Sequence, residues 1–180
     1  MDITPQSPDT GTEGIVNRVA NSALITFDLE KYYQPGERVV LDIADQLYER
    51  LMLKEKDFRE FVKKHDWPQY DGKFVAVTCS ADAIVPTWAY MLIVTALQPY
   101  ATKAVFGTLE ELETHIFIDQ LAKVDWSRFE GSTVVIKGCR KVNVPVAVYV
   151  EATAQIRKFA ATIMYGEPCS TVPIFKRSSK

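Results

Sequence analysis

From Gly72 onward, apolar positions switch between two periods. Residues 73–78 (KFVAVT) form an unbroken, β-branched run of strand length, and 85–98 reads as a helix. Residues 103–106 (KAVF) form another strand. Thr108-Leu109-Glu110-Glu111 puts Thr and Glu three apart, the spacing of a capping box, and starts a helix predicted to reach Lys123. Its buried stripe is Leu109, Leu112 and Ile116. Residues 133–137 (TVVIK) read as a second buried strand. Pro145 opens a helix predicted to run to Tyr165, with Val148, Ala152, Ile156, Phe159 and Ile163 on one face and Gly166 as its cap. Residues 171–176 (TVPIFK) are the last strand, and Pro173 places it at a sheet edge because proline donates no ladder hydrogen bond.

Ahead of Gly72, two stretches echo each other: Leu24-Ile25-Thr26-Phe27-Asp28-Leu29 and Arg38-Val39-Val40-Leu41-Asp42-Ile43. Each reads as a short strand ending near an Asp, with a turn at Gln34-Pro35-Gly36 between them. The echo is too short to establish a repeat. Ile43, Leu47 and Leu51 recur every four residues and predict a helix over 42–53. A second helix is expected over 54–64, with Phe58, Phe61 and Val62 inward, closed by turn residues at 67–72. Residues 1–13 read as a flexible tail, 176–180 as a frayed basic end, and 14–180 as one domain. The expected fold is α/β: a single domain with a mainly parallel or mixed sheet and helices on both faces. The 85–98 helix is apolar nearly all round, as in a helix that is deeply buried or packs a second subunit; in a domain this small the homodimer contact is the expectation.

Composition changes this picture little. The chain has 180 residues, 47% of them hydrophobic and 24% charged, as in soluble globular domains. Its net charge of -2 argues against nucleic-acid binding and offers no basic membrane anchor. The longest apolar run, 84–97, is shorter than a membrane span and is interrupted by Pro86, Thr87, Tyr90 and Thr95. The start lacks the pattern of a secretory signal, so a cytoplasmic location is expected.

The candidate chemistry lies in three cysteines, too few and too odd a number for a disulfide framework. Cys79 directly follows the strand at 73–78, and Cys139 follows the strand at 133–137 by one glycine. Parallel sheets bind ligands at the carboxyl ends of their strands. Cys169 lies between the expected helix and the last strand, so it joins that edge only if the last strand runs antiparallel or the loop folds over. A shared site would hold zinc or an iron–sulfur cluster on three thiolates, with Asp82 as the nearest fourth ligand. The alternative roles are an N-cap for Asp82 and small core side chains for the cysteines. Lys137, Arg140 and Lys141 surround Cys139 and favour its thiolate. A metal-free thiol enzyme using Cys139 or Cys79 lacks an obvious base. His65 ends a Lys-Lys-His-Asp stretch where a cation is favourable, and His115 reads as a surface residue. Trp88, Tyr90, Tyr149 and Tyr165 read as core or interface rings.

Three blocks carry a resemblance: residues 78–90 (TCSADAIVPTWAY), Lys137-Gly138-Cys139, and residues 164–173 (MYGEPCSTVP). With Lys54-Glu55-Lys56-Asp57-Phe58-Arg59 and His65-Asp66-Trp67, they resemble the uncharacterised bacterial family catalogued as domain of unknown function 2480, over residues 16–176. That family implies no activity. The resemblance implies a link to iron–sulfur cluster assembly proteins as partners. Each block also holds one cysteine, which favours the shared metal site. A non-catalytic dimeric interaction module is the remaining reading.

Overall fold

The computed structural model describes residues 24–138, 141–167 and 170–178. In chain order the elements are β1 (Leu24–Asp28), β2 (Arg38–Asp42), α1 (Glu55–Lys64), β3 (Phe74–Thr78), α2 (Thr87–Leu97), β4 (Lys103–Phe106), α3 (Leu109–Leu121), β5 (Thr133–Lys137), α4 (Val146–Ile156), β6 (Thr162–Glu167) and β7 (Ser170–Lys176). The fold is α/β, with two sheets. The first is all parallel, in the order β2-β3-β4. The second has the order β1-β5-β6-β7 and is parallel until β7, which runs antiparallel to β6.

The central strand β3 is apolar on both faces because helices cover both, and β5 is covered by α3 and α4 on the face of Val134 and Ile136. On one face of the first sheet, Phe58 of α1 with Ile93 and Leu97 of α2 pack over Val75 and Val77. On its other face Leu112 and Ile116 of α3 pack over Phe74 and Ala76. The same α3 turns Phe117 and Leu121 into the core of the second sheet, beside Val148 and Ile156 of α4 and above Val134 and Ile136. One helix thus seals both sheets, which explains why its buried residues do not fall on a single narrow stripe. Thr108 caps it as the sequence predicts, in a reciprocal capping box with Glu111.

The chain is internally duplicated. Residues 54–107 match 113–166 at a constant offset of 59 positions (67 to 126) without a gap: Phe58 with Phe117, Trp67 with Trp126, Gly72 with Gly131, Pro86 with Pro145, Tyr90 with Tyr149, Gly107 with Gly166. The backbone repeats with the sequence. The helices α2 and α4 begin and end at matching positions, as do the starts of β4 and β6. Gly72 donates its N–H to the Tyr100 carbonyl just as Gly131 donates to Phe159. Thr102 bonds to Lys73 as Ala161 bonds to Ser132. Gly72 and Gly131 share a left-handed backbone, with φ of 69° and 66°. The echo of 24–29 in 38–43 is the outer strand of each unit. Asp28 lies opposite Lys137 and Asp42 opposite Thr78, the same step of the two ladders. The gapless match was open to a sequence reading that compared the chain with itself; only the displaced outer strand, which the second unit takes from ahead of the first, needs the structure.

Three expected elements differ. The helix from Pro145 stops at Ile156, and 162–167 is strand β6. Ile163 fits a helical stripe and equally faces inward from a strand, so the periodicity continues across a change of structure. Gly166 is no helix cap: with φ of 122°, it lies where a β-carbon would meet the Ser170 carbonyl oxygen at 2.5 Å, across the β6–β7 hairpin. The expected helix over 42–53 is a short 3-10 turn (Ala44–Gln46) followed by a tight reversal, with Tyr48 bridged to Met52. Glu49 and Arg50 both take positive φ there, and Leu51 is exposed. The 1–13 tail and the terminal residues 179–180 lie outside the described residues.

Candidate functional site

Both sheets finish their parallel strands with the same device. In the first, β2 ends at Asp42, whose carboxylate accepts the N–H groups of Ala44 at 2.9 Å and Ser80 at 3.0 Å. Burial works to raise the Asp42 carboxyl, but the Ser80 hydroxyl, those two N–H groups and Arg50 outweigh it and hold its pKa below the ordinary value. The loop after β3 is thereby locked against the end of β2. It carries Cys79, half-buried, with Sγ 3.8 Å from the Ala81 carbonyl oxygen. Tyr90 of α2 stands over the same spot. Its hydroxyl is pushed up in pKa by burial and then by the neighbouring Cys79 and Asp42.

In the second sheet, Asp28 accepts the Glu30 N–H at 3.1 Å and pairs with Lys137 at 3.3 Å. Gly138 follows with φ of 147°, where a β-carbon would lie 2.9 Å from the Leu29 side chain. Only glycine lets the loop after β5 pass so close to that turn. Beyond it, the Lys141 N–H donates to the Glu30 carboxylate at 2.8 Å. Lys137 is therefore paired with Asp28.

Cys139 and Cys169 lie outside the described residues, as does Arg140. The described chain brackets them. Ile136 of β5 pairs with Tyr165 of β6, so both strands end at one edge. There β6 turns back into β7, with Glu167 opposite Ser170. The described residues that flank Cys169, Glu167 and Ser170, thus pair at the carboxyl end of β6, the edge where β5 also ends. The antiparallel last strand that this arrangement requires is present. Cys79 occupies the corresponding loop of the other unit: at the duplication offset it matches Gly138, and Ser80 matches Cys139.

Asp82 is exposed and does not cap α2, whose N-cap position is Pro86 without a side-chain bond. Proline there already sets the entry conformation. No group of three His, Cys, Asp or Glu side chains gathers among the described residues. His65 ends α1 as its C-cap residue, as expected. Its ring stacks on Tyr70, Nε2 lies 3.1 Å from the Tyr70 hydroxyl, and burial draws its pKa down against Asp66. His115 is exposed on α3, as expected. Tyr149 and Tyr165 meet edge to face at 5.8 Å and line an apolar groove between α4 and β6–β7. Tyr90 and Phe106 repeat that contact at 4.8 Å in the first unit. Sequence reasoning missed Asp28, Asp42 and Tyr90 as edge residues; the Asp-ended echo was the available signal.

Fold and edge define an internally duplicated α/β protein in which Cys79 lies in the loop at the carboxyl end of the parallel strand β3. More particularly, the chain belongs to the family described as protein of unknown function DUF2480, whose model matches residues 13–177. No curated protein and no solved structure matches the chain. No helix among the described residues is long and apolar enough to cross a membrane.

Proposed function

We infer that this is a thiolate metal-binding protein, holding zinc or an iron–sulfur cluster, with Cys139 and Cys169 as the kernel of the site. The observation that supports it is the β6–β7 hairpin, which brings the chain on either side of Cys169 to the edge where β5 ends and the Cys139 loop begins. Two thiolates on adjacent loops suit borderline or soft metals. Cys79 is the candidate third ligand, and Asp82, water or a partner group the fourth. An open fourth position would suit transfer of metal or cluster to assembly proteins.

The test is purification under anaerobic conditions without a metal-affinity tag, followed by zinc and iron per chain and the visible spectrum. Stoichiometric zinc or cluster iron in the wild type, lost in Cys139→Ser and in Cys169→Ser, supports the reading. Iron with a charge-transfer band identifies a cluster, and colourless zinc a mononuclear site. Loss in Cys79→Ser as well makes the site three-thiolate. Full metal retained in Cys139→Ser, or no metal in the wild type, refutes the proposal and turns attention to thiol reactivity.

A further inference from the structure

The duplication presents one kind of surface twice. In the first unit α2 buries Ala89, Ile93 and Leu97 and turns Met91 and Val94 outward, beside Phe106 at the end of β4. In the second unit α4 buries Val148, Ala152 and Ile156 and turns Val146 and Val150 outward, beside Tyr165 at the corresponding end of β6. Met91 and Val150 occupy matching positions, and each is 64% exposed. Phe106 and Tyr165 also match, each set edge to face against its helix's tyrosine.

The two units have diverged over most of their length, and an exposed position facing water accepts polar residues at no cost. At two matching exposed positions, Met91 with Val150 and Phe106 with Tyr165, both units have nevertheless stayed apolar, while Val94 matches Thr153 and Val146 matches Thr87. The α2 segment carries no charged residue, and the single charge of α4, Glu151, hydrogen-bonds Gln155 beside a different groove. A charged partner would find no charged group on α2 and only the engaged Glu151 on α4. A second copy of this chain brings equally uncharged faces.

Area points the same way. Large side chains present on the order of 150–250 Å² when exposed, so Met91, Val94 and Phe106 offer roughly 350 Å² and Val146, Val150, Tyr165, Val172 and Ile174 roughly 550 Å². Either face alone falls short of the ~800 Å² per partner of a stable interface, and the two together reach it. The units also differ in one respect that suits mutual cover. In the second, β7 lies against β6 and Ile174 lines the groove beside Tyr165; in the first, β4 is an edge strand and Phe106 is 62% exposed.

We propose that two copies of this chain form a closed two-fold dimer that buries both duplicated faces, the α2–β4 face and the α4–β6–β7 face. Closure matters because an unclosed contact between unlike faces would propagate into filaments.

The experiment is the solution mass of the full chain by light scattering or sedimentation across a concentration series, for the wild type, Met91→Glu, Val150→Glu and the control Leu51→Glu. All three substituted side chains are exposed in the single chain, and thermal melts confirm that each variant folds. The expected result is a mass of twice 20.4 kDa for the wild type and the control. Met91→Glu and Val150→Glu should each be monomeric, their dimer weakened roughly a hundredfold or more because a carboxylate is buried without a partner. A monomeric wild type, open-ended assembly, a dimer that survives either face substitution, or one broken by Leu51→Glu would overturn the proposal.

Discussion

Arg38 ties the two units together, and its removal should cost more than that of its partner. The guanidinium donates to Glu113 of α3 through Nε at 2.8 Å and Nη2 at 3.0 Å. It also donates to the carbonyls of Gly36 and Gln34, both at 2.6 Å, and lies between the rings of Tyr33 and Phe74 at 4.6 and 4.8 Å. Its side chain is 14% exposed and that of Glu113 is 16%, so water screens the pair only weakly. Arg38→Met keeps the volume but strands the carboxylate and two carbonyls at once, for a loss of about 3–5 kcal/mol. Glu113→Gln leaves Arg38 both carbonyls and both rings, and its amide oxygen still accepts one bond. Its loss should be about 1–2 kcal/mol. The double variant has no stranded charge, so it should fall short of the summed singles by about 1–2 kcal/mol. Urea unfolding of all four proteins, at equal m-values, measures this cycle. Equal losses in the two single variants, or an additive double variant, would show that Arg38 is not the hub described.

Thr108→Ala breaks the capping box and should lower stability by about 1 kcal/mol, seen as a lower melting temperature with unchanged helix content. Gly166→Ala forces a side chain into a left-handed position against the Ser170 carbonyl oxygen and should cost about 1–3 kcal/mol; faster hydrogen exchange confined to β6–β7 would locate the damage. Because burial lowers the His65 pKa, the unfolded chain takes up its proton first. The His65 contribution is complete above the unfolded value, about pH 6.5, and fades as pH falls through the lower folded value. Urea midpoints measured at about pH 7.5 and 5.5 should therefore drop more in the wild type than in His65→Phe, and equal drops would contradict the buried ring.

Much of the fold was legible in the chain because its signals are local. Unbroken apolar runs marked β3 and β5, Thr108 and Glu111 marked the start of α3, and Pro173 marked an edge strand. Each depends on residues a few positions apart. The failures occurred where local pattern suits two structures. Ile163 continues the α4 stripe and sits equally well inside a strand, and only its pairing with Val134 decides between them. Ile43, Leu47 and Leu51 keep helical spacing, yet Leu51 ends in solvent because the chain reverses at two residues with positive φ. For the candidate site, the sequence by itself determined which residues carry sulfur and that two of them closely follow strands. It did not determine that Glu167 and Ser170, on either side of Cys169, pair at the edge where β5 also ends. That depends on an antiparallel pairing between β6 and β7. The gapless repeat of 54–107 in 113–166 is written in the sequence, but only the strand order shows that β1 serves the second unit beside β5, since contacts between distant segments are set by what buries the most apolar surface together, a property of the assembled chain and not of any short stretch.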